Sequence, residues 1–211
     1  MPNQTLHLSI QTALAAEAQL VIIQSFEVHD LDIPPLAWHV IHHPQSGESL
    51  SLSIHPVWQL DVRNHQGMSS MRRALEPAHT YQIRTPEDTA PTIFAKDVPD
   101  QPYLSLQNPQ GGAMPQLFRG DRPVADLGDL APGTSLELEL TGIWEFGILP
   151  KAHTGQPIDK NQSLVPWAAI DLEGISEAHL IVGESQGELT LTLEDVITVS
   201  TDGPGQRPSQ R

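Results

Sequence analysis

Hydrophobic and polar residues alternate along much of this 211-residue chain. In residues 49–54, leucine and isoleucine occupy every second position and serine occupies the others. The same alternation returns in residues 135–140 and 188–193. Successive side chains of a β-strand point to opposite faces, so each segment predicts a strand with one apolar and one polar face. Strands of this kind are typical of antiparallel sheets that expose one face to solvent.

Weaker strand patterns occupy most of the remaining chain, roughly ten residues apart. They cover residues 6–12, 19–28, 36–42, 79–84, 92–96, 103–106, 116–119, 168–172 and 179–183. The 19 prolines mark turns and sheet edges, because proline cannot donate a hydrogen bond to a neighbouring strand. The sequence therefore predicts an all-β protein, an antiparallel β-sandwich of jelly-roll or immunoglobulin-like type.

Helix is expected to be scarce, because only residues 13–18 and 68–75 offer short helical candidates. We expect one sandwich over residues 1–199, or two similar halves that meet near residues 97–102. The second arrangement is suggested by residues 44–58 and 131–144, which both contain a turn, an alternating strand and then a tryptophan. Residues 200–211 lack large apolar side chains, so we predict a flexible tail there.

Composition limits the classes of function. The chain has no cysteine, which excludes thiol nucleophiles, disulfides and Cys-ligated metals. Eleven Lys and Arg against 26 Asp and Glu give a net charge of -15, which disfavours nucleic acid as a partner. No apolar run approaches the roughly 20 residues that a membrane span needs. No signal peptide is recognisable, so a cytoplasmic and a secreted location both stay open.

The histidines are the first candidates for chemistry, because seven of the ten lie between His29 and His79. The candidate metal ligands are His39, His42, His43 and His55. On one strand His39 and His43 would share a face but lie about 13 Å apart, so a metal site needs a histidine from a neighbouring strand. If a metal is bound, we expect at least three histidines to converge within about 5 Å from the set of His29, His39, His42, His43 and His55. Alternatively, the histidines are ordinary polar residues on sheet faces and in turns, or they form a pH-sensitive contact surface. The sequence suggests no cofactor other than a divalent metal at this cluster.

The four tryptophans are expected to anchor the core, as is usual in β-sandwiches. The alternative is an exposed aromatic platform at Trp58 and Trp144, with Asp121 and other loop residues binding the hydroxyl groups of a sugar or a protein partner. Asp121, Asp126 and Asp129 also supply the oxygen ligands that calcium prefers, although their spacing matches no calcium-binding motif.

Motifs of catalysis do not occur in the sequence. There is no serine nucleophile elbow followed by a helix, no phosphate-binding loop and no His-Glu-x-x-His pair. We therefore predict a non-catalytic binding or structural module, with a glycan, a protein or a second copy of the chain as partner. The alternative is a metalloprotein or enzyme of cupin or jelly-roll type that uses the His29–His79 cluster.

Two stretches resemble the RhiA-like proteins of plant-associated bacteria. The first contains Leu-Ala-Trp at residues 36–38, a Pro/Gly turn at 44–47, the alternating strand and Trp58. The second runs from the turn at residues 131–134 through an alternating strand to aromatic residues and Phe146-Gly147. The resemblance extends loosely over residues 18–193. It implies a β-sandwich in a host-associated setting and provides no catalytic residues.

Overall fold

The computed structural model describes residues 3–14, 17–98, 103–185 and 188–198. Within these ranges there are 15 β-strands and one 3-10 helix, Lys160–Gln162. The strands, numbered in chain order, are β1 (Gln4–Ile10), β2 (Gln19–Val28), β3 (His39–His42), β4 (Ser49–Ile54), β5 (Trp58–Asn64), β6 (Arg73–Ala74), β7 (His79–Arg84), β8 (Thr92–Asp97), β9 (Leu104–Asn108), β10 (Ala113–Arg119), β11 (Arg122–Asp126), β12 (Thr134–Leu149), β13 (Ala168–Asp171), β14 (Ile175–Ser185) and β15 (Glu188–Thr198). The prediction of an all-β sandwich is confirmed.

Three sheets organise these strands. The terminal sheet has the order β15-β14-β1-β4, and the hairpin sheet has the order β11-β10-β5-β6. The large sheet has the order β3-β2-β12-β9-β7-β8, with β13 paired to β12. Most pairs are antiparallel, as predicted, but β1 pairs with β14 and β7 pairs with β9 in parallel. The parallel pairs join segments that are distant in the sequence, which no local pattern indicates.

Alternation fixes which face of each strand is buried. In β4 the serines are exposed and Ile54 is buried, while in β1 Leu6 and Leu8 are buried between half-exposed polar residues. Strand β2 lies inside the large sheet and buries both faces, with Ile22 in the main core and Ile23 in a smaller second cluster. A strand buried on both faces needs a continuous apolar run, which is what residues 20–23 provide.

The two short helical candidates were wrong. In residues 68–75 there is extended chain that ends in β6, and in 13–18 the described residues form loop. Neither segment has the apolar stripe that would hold a helix against the core. The structure also shows no helix, within the part that it describes, that is long and apolar enough to cross a membrane.

Strands from both sides of the predicted boundary at residues 97–102 share each sheet. Strand β1 pairs with β14, β2 pairs with β12, and β5 pairs with β10. The two similar segments also differ in place, because β4 belongs to the terminal sheet and β12 to the large sheet. One principal buried cluster extends from Leu6 to Val182. Residues 99–102 of the boundary and the predicted tail 200–211 lie outside the described residues.

Candidate functional site

The four histidines proposed as metal ligands point in different directions. His39 and His42 lie on opposite faces of β3, because they are three positions apart on an alternating strand. His43 follows the strand in a left-handed conformation, with φ of 51°. Nδ1 of His55 accepts a hydrogen bond from the Val57 amide at 3.3 Å. No group of three potential ligands forms around these residues in the described parts of the chain.

Other histidines of the predicted cluster have local partners of their own. His29 lies 3.1 Å from a carboxylate oxygen of Glu137, and His65 lies 2.9 Å from one of Asp129. The expected convergence of at least three of the histidines His29, His39, His42, His43 and His55 is therefore not found. Neighbours in sequence are separated by the alternation of strand faces and by turns, so clustering along the chain did not become clustering in space.

Tryptophan burial decides between the two roles considered for these side chains. Trp144 is 0% exposed and Trp58 is 7% exposed, so neither forms a platform for an external ligand. They meet instead around the guanidinium carbon of Arg119, which lies 5.0 Å from the Trp58 ring centre and 5.7 Å from that of Trp144. Trp38 packs edge-on against Trp144 at 4.8 Å. The tryptophans thus join the large sheet to the hairpin sheet.

Asp121 lies in the exposed turn between β10 and β11. Asp126 accepts hydrogen bonds from the Gly128 amide and the Gln116 side chain. Asp129 pairs with His65, so Asp126 and Asp129 have separate partners. They do not form a three-carboxylate calcium site within the described residues.

A different cluster lies on the outer face of the terminal sheet: His7, Glu177 and His179, which we call the HEH site. Strand β1 runs parallel to β14, and His7 is directly opposite His179 in the register. The flanking Leu6, Leu8, Ala178 and Leu180 are buried, so alternation turns the three HEH side chains away from the core. Glu177 precedes His179 by two residues and shares its face. The sequence signal is weak and consists of the Glu-x-His spacing and a histidine between two leucines.

The three HEH side chains lie close enough to share one ligand. Nε2 of His7 is 2.9 Å from Oε1 of Glu177, and Nε2 of His179 is 3.6 Å from the same oxygen. The two imidazole rings have centres 4.7 Å apart and planes at 41°. One potential ligand atom from each residue lies within 4.8 Å of the others. The side chains are 31–41% exposed, so ions in solvent reach them.

These distances match the coordination shell of a small divalent metal. Zinc binds imidazole nitrogen and carboxylate oxygen at about 2.0–2.2 Å, which places neighbouring ligand atoms of a tetrahedron about 3.3 Å apart. The two measured separations, 2.9 and 3.6 Å, lie on either side of that value. Two histidines and a glutamate are also a known zinc ligand set. The ligand types and these two separations are compatible with a zinc site on this face.

Two further residues complete the surroundings of the HEH site. The Ser51 hydroxyl lies 2.8 Å from Nδ1 of His7, which orients the ring and leaves Nε2 toward Glu177. Glu194 of β15 is directly opposite His179 in the antiparallel register and is exposed. Directly opposite residues have Cβ atoms about 4.5–5.5 Å apart on the same face. Glu194 therefore neighbours His179 on this face, outside the group of three residues whose ligand atoms lie within 4.8 Å of one another.

Two side chains at the rim of the tryptophan cluster, His39 and Arg119, have lowered pKa values. Burial, followed by the charge of Arg122 and then by His42, lowers the pKa of His39 to about 4. The neutral Nδ1 of His39 accepts a hydrogen bond of 2.6 Å from Nη1 of Arg122. Burial also lowers the pKa of Arg119 to about 10, so its guanidinium keeps its charge at neutral pH.

Comparison with known proteins gives no significant match. Protein-family models, curated proteins and solved structures were each compared with the chain.

Proposed function

We propose that this chain is a non-catalytic binding module that holds one divalent transition-metal ion, of the zinc class, at the HEH site. The observation that supports this is the approach of three ligand atoms from β1 and β14 to within 4.8 Å of one another. Imidazole and carboxylate together suit zinc better than calcium or magnesium, which prefer oxygen ligands. The Ser51 contact to His7 is the kind of support that metal-binding histidines have.

An ordinary surface ion pair accounts less well for this arrangement. An exposed pair contributes only about 0–1 kcal/mol, and one carboxylate here faces two imidazoles. Two protonated imidazoles whose centres are 4.7 Å apart repel each other, whereas two neutral ones can bind the same cation. A metal ion satisfies all three side chains at once.

Binding is favoured over catalysis because the HEH site lies on an open sheet face. Small-molecule sites are normally concave and enclose most of the ligand. Here the three side chains are 31–41% exposed. The proposed metal ligands therefore differ from the histidines that the sequence suggested.

Zinc titration of the untagged 211-residue chain tests the proposal. By isothermal titration calorimetry at neutral pH, the wild type is expected to bind one zinc per chain. His7→Ala and His179→Ala each remove one ligand, so we expect the affinity to fall by about 10–100-fold or more. Glu177→Gln keeps the size of the side chain and removes its charge, and the same direction of change is expected.

His42→Ala is the matched control, because His42 is an exposed strand histidine outside the HEH site. It should leave the zinc affinity unchanged. Wild-type affinity in both His7→Ala and His179→Ala would contradict the proposal, and so would an equal loss in His42→Ala. Circular dichroism of each variant separates loss of a ligand from loss of the fold.

The RhiA-like resemblance remains a prediction about the setting in which such a module works. It suggests a glycan or protein of a host as the partner, with the β-sandwich as scaffold. Binding of candidate glycans by the wild type, measured with and without zinc, would test whether the metal and the partner share a surface.

A further inference from the structure

The turn between β10 and β11 concentrates positive charge in an acidic chain. Arg119 and Arg122 flank the turn and are directly opposite each other in the antiparallel register. Nη1 of Arg72 donates to the Gly120 carbonyl oxygen of the same turn at 2.9 Å. The chain as a whole carries a net charge of -15. A cluster of three arginines in such a chain calls for a compensating interaction.

Carboxylates do not provide that compensation. In the described residues, every ion pair involves a histidine or Lys160, and none includes an arginine. Each of the three guanidinium groups instead lies over an aromatic ring, with Arg72 on Phe118, Arg119 on Trp58 and Arg122 on Trp38. Like charges directly opposite each other destabilise an antiparallel pair. Ring faces offset this repulsion only in part.

Two buried donors beside this pair lack an acceptor. Arg119 is 5% exposed, and its Nη1 donates to the Pro56 carbonyl oxygen at 2.6 Å, but its Nε has no partner. Trp144 is 0% exposed, and its indole nitrogen has no partner either. Buried N–H groups without an acceptor are uncommon, because each one loses its hydrogen bond to water without a replacement.

We propose that the β10–β11 hairpin binds a small monovalent anion between Arg119 and Arg122 and beside the indole N–H of Trp144. The two unpaired donors belong to neighbouring side chains, since the Arg119 guanidinium carbon is 5.7 Å from the Trp144 ring centre. One acceptor can bond two N–H donors that lie up to about 6 Å apart, at about 3 Å from each. An anion there satisfies both donors and reduces the repulsion between the two guanidinium groups.

Burial determines the size of the ligand. Arg119 and Trp144 are only 0–5% exposed, so only a small ion can reach their donors. The ion would pass Arg122, which is half-buried at the edge of the site. His39 does not compete as a cation, because it is neutral and accepts from Arg122. Chloride is the natural probe, and bromide is its anomalous-scattering equivalent.

The first measurement is thermal melting of the wild type in sodium chloride and in sodium gluconate at equal ionic strength. Gluconate is too large for the site. We expect the melting temperature to rise by about 3–5 °C for each tenfold increase in chloride above its dissociation constant, and not to rise with gluconate. Equal curves in the two salts would overturn the proposal.

Arg122→Gln removes the rim charge and is expected to abolish the chloride-specific shift. Arg84→Gln is the matched control, because Arg84 also stacks on an aromatic ring, Phe94 at 4.7 Å, at another place. It should keep the shift. An unchanged shift in Arg122→Gln, or its loss in Arg84→Gln, counts against the site.

Crystals of the wild type soaked in bromide give a test that needs no variant. The expected result is an anomalous peak within about 3.5 Å of both Nε of Arg119 and Nε1 of Trp144. A water molecule at that position, without bromide, would show that the orphan donors are satisfied by solvent and would overturn the proposal.

Discussion

Gly147 lies under the indole of Trp167, and this contact makes a sharp prediction. Gly147 is buried in β12, and a Cβ atom at this position would lie 2.7 Å from three atoms of the ring. Ordinary contacts of a Cβ atom are 3.4–4 Å. The ring cannot easily retreat, because its N–H donates to the Lys160 carbonyl oxygen at 2.9 Å. Gly147→Ala therefore forces the ring or the strand to move.

The free energy of unfolding should fall by about 1–2 kcal/mol in Gly147→Ala. Overpacking a core typically costs about 1–3 kcal/mol. Replacement of glycine also restricts the unfolded chain, which returns about 0.4–1 kcal/mol. For a domain of this size the net loss corresponds to a fall in melting temperature of about 2–8 °C.

Urea unfolding in a double-mutant cycle is the assay. In a Trp167→Ala background the added methyl group has no ring to meet, so Gly147→Ala should become neutral or slightly stabilising. Gly183→Ala is the matched control, because a Cβ atom there would have its nearest contacts at 3.5 and 3.6 Å. The reasoning is refuted if Gly147→Ala costs the same with and without the Trp167 ring.

Three further predictions concern pH, metal and core. The pKa of His39 is lowered to about 4 in the folded chain. Between about pH 6.5 and 4 the unfolded chain therefore binds more protons than the folded chain, so stability is lost as the pH falls through that window. After discounting for partial exposure the loss is about 1–2 kcal/mol, and it should be absent in His39→Asn when urea midpoints are compared at pH 7 and pH 4.5. Zinc at 100 times its dissociation constant should stabilise the wild type by about 2.7 kcal/mol, which raises the melting temperature by about 5–11 °C. A chelator should reverse this shift, and His179→Ala should not show it. A zinc shift retained in that variant would contradict the HEH site. Ile22→Ala, at a fully buried position, should cost about 2–5 kcal/mol in the same urea assay, whereas exposed Ser53→Ala should change stability by less than about 0.5 kcal/mol.

Strands with one wet face were predictable because their pattern is local. In β4 every second residue is a serine, and the exposed positions follow directly. The long strand β12 was predicted only over residues 135–140. Its second half buries Trp144 and Phe146 on one face and Leu149 on the other, so no alternation marks it.

The HEH site was missed, and the histidines that sequence clustering suggested did not converge. His7 and His179 come together only because β1 pairs in parallel with β14. That pairing closes most of the chain into a loop, and no local periodicity encodes it. His39 and His42 are close in the sequence, yet they lie on opposite faces of β3, because they are three positions apart on one strand.

For the tryptophans, the sequence predicted burial but not the residues that they contact. Core anchoring was the preferred interpretation, and the burial of Trp58 and Trp144 agrees with it. Both lie beside the buried Arg119 because the large sheet packs against the hairpin sheet. An arginine next to a glycine in a turn gives no sign of burial in the sequence.

By itself, the sequence determined the class of fold, the strands with alternating faces, the absence of thiol chemistry and the strongly acidic charge. These properties depend on composition or on periods of two residues, which each short segment carries independently. Tertiary structure decided which histidines meet, which arginines lack a counter-charge and which tryptophans are buried. Each of those depends on strand pairs that join residues far apart in the chain, and such pairing is selected by the packing of the whole core.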